Sequence, residues 1–295
     1  MTVLRSLARA LFLRITLTKM TVALIDGDIL VYRCGFAAEK THYLVYGPES
    51  EIRTYEAHKD IPKDIPKEHI WSRKEVEPVE NALQAVNTTL DAILRNTNAD
   101  AYEIFLSGKR SFREQLAFTK PYKGNRDGQS KPVHYTAIRE FLLKSRGAVI
   151  PDGDLEADDA IGIRLGELGN SGLAVSIDKD LLQIPGRHYN WVSGEYTTVS
   201  ARDGHLQLGS QVLSGDPTDN VPGLEGIGPV KARKLLEDCS GPREMLDRIR
   251  NVYLDHCGRD LETADRRFQE SLGLVYILRS KGDSSTDYLR KYSAT

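Results

Sequence analysis

The chain has 295 residues, 40% hydrophobic and 28% charged, which reads as a soluble, globular protein with one large core or two smaller ones. A formal net charge of -2 gives no sign of a polyanionic partner on its own, and no apolar run is long enough to span a bilayer. Three cysteines, Cys34, Cys239 and Cys257, without metal-knuckle spacing, argue against a disulfide framework or a structural zinc site and fit a reducing compartment.

Residues 1–19 stand apart, with Arg5, Arg9, Arg14 and Lys19 and no acid. They are similar to an organellar transit peptide, but an upstream start codon, with Met20 opening the folded protein, is the favoured reading. Val22 to Asp28 is an apolar run closed by acid and glycine, which predicts a buried strand with Asp26 at its C-terminal end. A helix is expected to follow from Ile29 to Glu39. Thr41 to Glu77 reads as an irregular, peripheral insertion, with a hairpin between YLVYG and IRTYEAH and breaks at Pro62 and Pro66. Val79, Leu83, Val86, Leu90 and Ile93 recur at helical spacing and predict an amphipathic helix.

Tyr102 to Leu106 reads as a second buried strand, Tyr135 to Ser145 as a helix and GAVIP (147–151) as a third strand. Leu155 to Leu168 is expected as a helix, Leu173 to Ile177 as a fourth strand and YNWVSGEYTTVS (189–200) as a small hairpin. Alternating strands and helices predict an α/β fold, its parallel sheet covered on both faces. After about Leu206 the chain turns helical around a glycine-rich turn.

Carboxylates recur where strands end or helices begin, which is where open α/β folds place their chemistry. Glu156, Asp158 and Asp159 open a helix. One acid there would satisfy the helix dipole, but several repel one another unless a cation is present. Asp178 and Asp180 flank Lys179 after a strand, and at i and i+2 of an extended chain they point the same way. Asp216 and Asp219 precede a turn with Gly223, Gly226 and Gly228, then Pro229 and the basic helix of Lys231, Arg233 and Lys234. Backbone N–H groups in such a turn suit a phosphate and read no bases. Hard oxygen ligands of this kind suit Mg²⁺ or Mn²⁺.

From Lys109 to Arg146 there are ten Lys/Arg against three Asp/Glu. Within that stretch KPYKGNR places Lys123 and Arg126 where they could hold a phosphate and Tyr122 where it could stack an unpaired base. Lys109, Arg110 and Arg113 could add backbone contacts. Asp28 either faces the acidic site or pairs with a cation such as Arg33, and Cys34 is expected to be a small buried hydrophobe.

IDGD, PYKGNR, EADD, SIDKDLLQIPG and GDPTDNVPGLEGIGPVKA, in that order, resemble the 5′→3′ exonuclease and flap endonuclease superfamily, and most of all its bacteriophage exonucleases, which are relatives of the 5′-nuclease domain of bacterial DNA polymerase I. The resemblance runs from about Val22 to Leu236. It implies a PIN-like α/β core over 20–205 and a helical subdomain over 206–295 with a helix–three-turn–helix that grips duplex DNA. It also implies two divalent metals, Mg²⁺ or Mn²⁺. Asp26, Glu156 and Asp158 match the first-metal positions, and Asp178 matches a position near both. Asp180, Asp216 and Asp219 match the second-metal group, and Asp159 a neighbouring acid. Lys123 and Arg126 match residues near the scissile phosphate. The Gly223–Gly228 hairpin, with Lys231, matches a backbone-binding motif that holds a monovalent cation.

The implied partner is duplex DNA with a 5′ end or flap, RNA standing open as a second substrate, with no membrane and no protein partner. The implied location is cytoplasmic, inside a host cell for a viral protein. One position departs: many relatives carry an Asp where this chain has Ser107 or Gly108. That keeps one rival reading alive, a catalytically weakened duplex-DNA-binding protein; a PIN-like ribonuclease is a third reading, against which the helix–three-turn–helix favours duplex DNA.

Overall fold

The computed structural model describes residues 20–46, 51–126 and 128–293. The expected leader at 1–19 lies outside them. The chain opens with β1 (Val22–Asp26), five apolar or acidic residues that run straight into α1 (Gly27–Ala37). Gly27 permits this join, because an added Cβ would sit 2.7 Å from the Phe105 carbonyl oxygen. β2 (Glu39–Tyr46), β3 (Ile52–Tyr55) and β4 (Ile70–Val76) form an antiparallel sheet in the order β3-β2-β4. The expected hairpin is there, but the stretch read as irregular also holds β4. That strand is exposed along nearly its whole length, so backbone pairing holds it and it carries no buried alternation for a sequence reading to find.

There follow α2 (Val79–Thr97), β5 (Ala101–Phe105), the short α3 (Arg113–Leu116), α4 (Tyr135–Ser145), α5 (Ala157–Leu168), β6 (Gly172–Val175), β7 (Gly186–Asn190) and β8 (Glu195–Val199). The main sheet has the order β5-β1-β6-β7-β8, parallel except for β8, which returns antiparallel from β7 as the expected hairpin. GAVIP is not a full strand. It makes a single parallel bridge between Val149 and Phe105. Val149 and Ile150 are exposed, so this edge has nothing to bury that would extend it.

Strand alternation explains how the sheet is covered. Ala23 and Ile25 pack with Leu30 of α1, Val86 and Leu90 of α2 and Ile138 and Leu142 of α4. Leu24, one residue out of phase, packs with Ile161 and Leu165 of α5. Each fully buried aliphatic side chain stabilises by roughly 1.5–3 kcal/mol relative to exposure.

The C-terminal elements are α6 (Ala201–Ser214), the two-residue pair β9 (Gly215–Asp216) and β10 (Val221–Pro222), α7 (Pro229–Leu236), α8 (Pro242–His256), α9 (Leu261–Val275) and α10 (Ser285–Tyr292). Their core gathers Leu213, Leu236, Ile249, Tyr253, Phe268 and Leu272, and Tyr122 and Ile163 from the earlier part of the chain pack into it.

Candidate metal centre

Parallel strands deliver their C-terminal ends to one edge of the sheet, and the acids collect there. Asp26 closes β1, caps α1 by accepting from Ile29 N (3.2 Å), and accepts from Ser176 Oγ at 2.9 Å. Ser176 follows β6 and itself accepts from Asp178 N (3.0 Å), while Asp180 N donates to Asp178 Oδ1 (2.9 Å). Asp178 and Asp180 are therefore brought together by a turn leading into a short 3-10 segment (Asp180–Gln183), and not by the pleat of an extended strand. Asp216 lies on β9 and Asp219 in the turn after it. Asp158, Asp180, Asp216 and Asp219 line one narrow cavity with Tyr122 and Arg113.

Glu156 is the N-cap of α5, in a capping box with Asp159. Oxygens of Glu156, Asp158 and Asp159 lie within 4.8 Å of one another. Asp159, expected among the metal ligands, has both oxygens committed elsewhere. It takes a bidentate pair from Arg113 at 2.7 and 2.8 Å and is fully buried. Arg113, expected to touch a nucleic-acid backbone, is 1% exposed. Its remaining donors go to Glu156 Oε2 (2.9 Å) and to the carbonyls of Leu274 (3.0 Å) and Tyr276 (2.6 Å). A buried guanidinium needs every N–H satisfied, and here each is. Asp159 and Arg113 are thus revised to a framework that orients Glu156.

Tyr122 is also revised. An unpaired base cannot stack on a ring that is only 9% exposed and packed in the helical core. Its hydroxyl lies 2.9 Å from Glu156 Oε2 and 2.8 Å from Asp219 Oδ2. Burial, and then the Glu156 charge, push the phenol pKa upward, so it keeps its proton. Lys123 pairs with Glu156 and stands 3.5 Å from Asp219 Oδ2, and Arg126 pairs with Asp219. Lys123 has φ +55, held by its N–H on the Asp219 carbonyl (2.9 Å). Left-handed backbone at a non-glycine residue costs on the order of 1 kcal/mol or more and clusters at functional sites.

The charges divide the site. Burial works against ionisation of Glu156, but Lys123 and Arg113 outweigh it and hold its pKa below the usual carboxylate range. At the end of β1, outside the cavity lining, burial and then neighbouring Asp28 raise Asp26 to about 7. Burial, then Asp178, Asp216 and Asp219, raise Asp180 to about 8. Asp158 is pushed up by burial and by Asp159. Carboxylates with raised pKa values, and only oxygen donors between them, fit a hard divalent cation that replaces their protons.

Asp28 pairs with Arg139 at 2.9 Å, not with Arg33, and accepts from Ser107 N at 2.9 Å. Ser107 Oγ in turn accepts from Ala157 N (3.0 Å) at the start of the acidic helix. Ser107 thus supplies a helix-capping hydroxyl to α5. Cys34 is buried, as expected.

A cleft of about 920 Å³, sharing Tyr122 with the cavity, is lined by Glu156, Lys123, Arg126, Lys109, Lys131 and Arg139. Tyr32, Phe36 and Tyr135 form one wall. Tyr32 and Phe36 are exposed on one face of α1, and Tyr32 meets Tyr135 edge-on at 5.5 Å. Sequence reasoning passed over them, though two exposed aromatics four residues apart on a helix were a usable signal.

The glycine turn lies between α6 and α7 as expected. Gly223 is required by close approach, since a Cβ there would sit 2.0 Å from the Ser214 carbonyl oxygen. Gly226 has φ +72, and Gly228 is the N-cap of α7. Lys231 Nζ approaches the Gly226 carbonyl at 3.1 Å.

No protein-family model matches the chain. DNA polymerase I of Caldicellulosiruptor bescii is 29% identical over 182 residues, 54% of this chain and 21% of the polymerase. Flap endonuclease Xni of Shewanella amazonensis is 33% identical over 147 residues, 46% of this chain and 52% of that protein. The chain thus spans about a fifth to a half of these relatives. Among solved structures, bacteriophage T5 D15 flap endonuclease, in a complex with DNA and metal ions, superposes with a TM-score of 0.53 at 15% identity, covering 92% of this chain and 97% of that one. In sequence the chain is thus similar to parts of DNA polymerase I and of flap endonuclease Xni, and in fold to the bacteriophage T5 flap endonuclease.

Proposed function

We propose that the protein is a divalent-metal-dependent nuclease that hydrolyses DNA phosphodiesters from 5′ ends, as an exonuclease and a structure-specific flap endonuclease. One observation carries the reading: Asp158, Asp180, Asp216 and Asp219, from three separate segments, line one cavity, and Lys123 and Arg126 both meet Asp219. Relatives named as 5′-3′ exonuclease and flap endonuclease support it.

Two Mg²⁺ ions, or Mn²⁺, suit this all-carboxylate donor set. Asp26, Glu156 and Asp158 would hold one, and Asp178, Asp180, Asp216 and Asp219 the other. When bound, such ions make hydroxide available at neutral pH and neutralise the attacking and leaving oxygens. Lys123 and Arg126, which pair with Glu156 and Asp219, would turn to the scissile phosphate and stabilise its developing charge. The Tyr122 hydroxyl keeps Glu156 and Asp219 in place while those cations move. Gly223, Gly226, Gly228 and Lys231 would hold the duplex backbone, with a monovalent cation at the hairpin carbonyls. Tyr32, Phe36 and Tyr135 would face the bases of an unpaired strand.

A cleavage assay tests the reading, with 5′-labelled blunt duplex, recessed 5′ end, 5′ flap and an RNA duplex, in Mg²⁺ and in Mg²⁺ with EDTA. Metal-dependent release of short 5′ DNA products is expected. Retained duplex binding without cleavage in Mg²⁺ or Mn²⁺ would replace it with the weakened binder, and preferential RNA cutting with the ribonuclease.

A further inference from the structure

A second chain of buried polar groups reaches the acidic cavity, and Gln211, the member that touches Asp180, belongs to none of the motifs above. The segment that ends α9 presents Ile277 N to Gln183 Oε1 (3.3 Å) and the Val275 carbonyl to Gln183 Nε2 (2.7 Å). Gln183 is fully buried, and the same Nε2 donates to Gln211 Oε1 at 2.8 Å. Gln211, 8% exposed on the last turns of α6, donates its own Nε2 to Asp180 Oδ1 at 2.5 Å. The direction of every bond is set, because the backbone N–H of Ile277 can only donate and a carbonyl can only accept. The amide of Gln211 therefore has to face Asp180 with its N–H.

We infer that Gln211, held in register by Gln183, is a positioning residue for the Asp180 side of the metal centre. Buried amides in low dielectric are kept only when satisfied, and these two spend their hydrogen bonds on one carboxylate and on the end of α9. An outer amide that orients a ligating carboxylate tunes metal affinity without touching the metal. α9 is also the helix whose Leu274 carbonyl anchors Arg113, which orients Glu156. One helix end thus braces both halves of the carboxylate set, Glu156 through Arg113 and Asp180 through the paired glutamines. The inference rests on the metal-dependent reading above, but its first test does not.

The test titrates Mn²⁺ into the full chain without DNA, read by paramagnetic resonance of the free ion, for wild type, Gln211→Leu and Gln183→Met. Gln211→Leu keeps the volume and removes the donor to Asp180. Gln183→Met leaves that donor in place but unpinned. The expected result is Mn²⁺ binding weakened about 10- to 100-fold in Gln211→Leu, in the range usual for such outer partners, and by less in Gln183→Met. Duplex binding in EDTA should not change in either. In the cleavage assay the metal concentration for half-maximal rate should rise in the same order, with KM for DNA unchanged. Mn²⁺ curves that superimpose on wild type in a folded Gln211→Leu overturn the inference. Should Gln211→Leu fail to fold, an unshifted Gln183→Met overturns it equally. If wild type binds Mn²⁺ but cuts nothing, the proposed activity fails while the Mn²⁺ comparison still decides the role of Gln211.

Discussion

Tyr122→Phe separates two readings of the same residue. If the ring served to stack an unpaired base, Phe would serve as well. In the structure the ring is buried and the hydroxyl does the work, 2.9 Å from Glu156 Oε2 and 2.8 Å from Asp219 Oδ2. Removing it takes one charge-assisted hydrogen bond from two partly buried carboxylates, on the order of 1.5–3 kcal/mol. If that energy orients the acids in the transition state, kcat should fall roughly 10- to 100-fold, at about 1.4 kcal/mol per factor of ten. Folding should persist, because Phe fills the same space. Single-turnover cleavage of a 5′-labelled flap at saturating Mg²⁺ gives the rate, and binding in EDTA gives the affinity. A Phe variant that cuts at the wild-type rate, with only Tyr122→Ala impaired, would refute the bridging role.

Three further outcomes are expected. Asp178→Asn with Asp180→Asn should abolish cleavage and leave or tighten duplex binding in EDTA, measured by gel shift. Asp26 and Asp180 have folded pKa values of about 7 and about 8, above their unfolded values near ~3.9. Their stabilising contribution is therefore full below about pH 4 and lost as pH rises through 7 and 8. Melting temperature in EDTA should drop across that window and in Mg²⁺ should drop less, and parallel curves would contradict this. Gly223→Ala should destabilise the hairpin by several kcal/mol, because its Cβ would lie 2.0 Å from a backbone oxygen, whereas the space around Gly228 is open and Gly228→Ala should melt near wild type.

Much of the core was legible because its signals are local. The apolar run ending in Asp26, the heptad-like spacing from Val79 and the acids at the start of α5 each state their element within a few residues. β4 was not legible, since IWSRKEV faces solvent almost throughout and pairs with a strand some thirty positions away in the chain. GAVIP misled for the opposite reason: an apolar run looks like a strand whether or not a neighbour exists to cover it.

The site divides along the same line. Asp158 and Asp159 are adjacent, alike in chemistry and both in the first turn of α5, and locally only the capping-box spacing of Asp159 from Glu156 separates them. Helical geometry turns them about 100° apart, so one faces the cavity and the other faces inward to Arg113, forty-six positions upstream. Tyr122 and Arg113 sit in a basic, loop-like stretch and read as surface groups until α9 closes over them. Acids in a motif announce that a cation is wanted, but which acids are free to take it depends on where the buried cations lie. Here the one fully buried arginine among the described residues takes Asp159 and leaves Asp158 to the cavity. An Arg113→Met, Asp159→Leu double variant should therefore keep more metal binding than Arg113→Met alone, because it removes the stranded charge together with its partner.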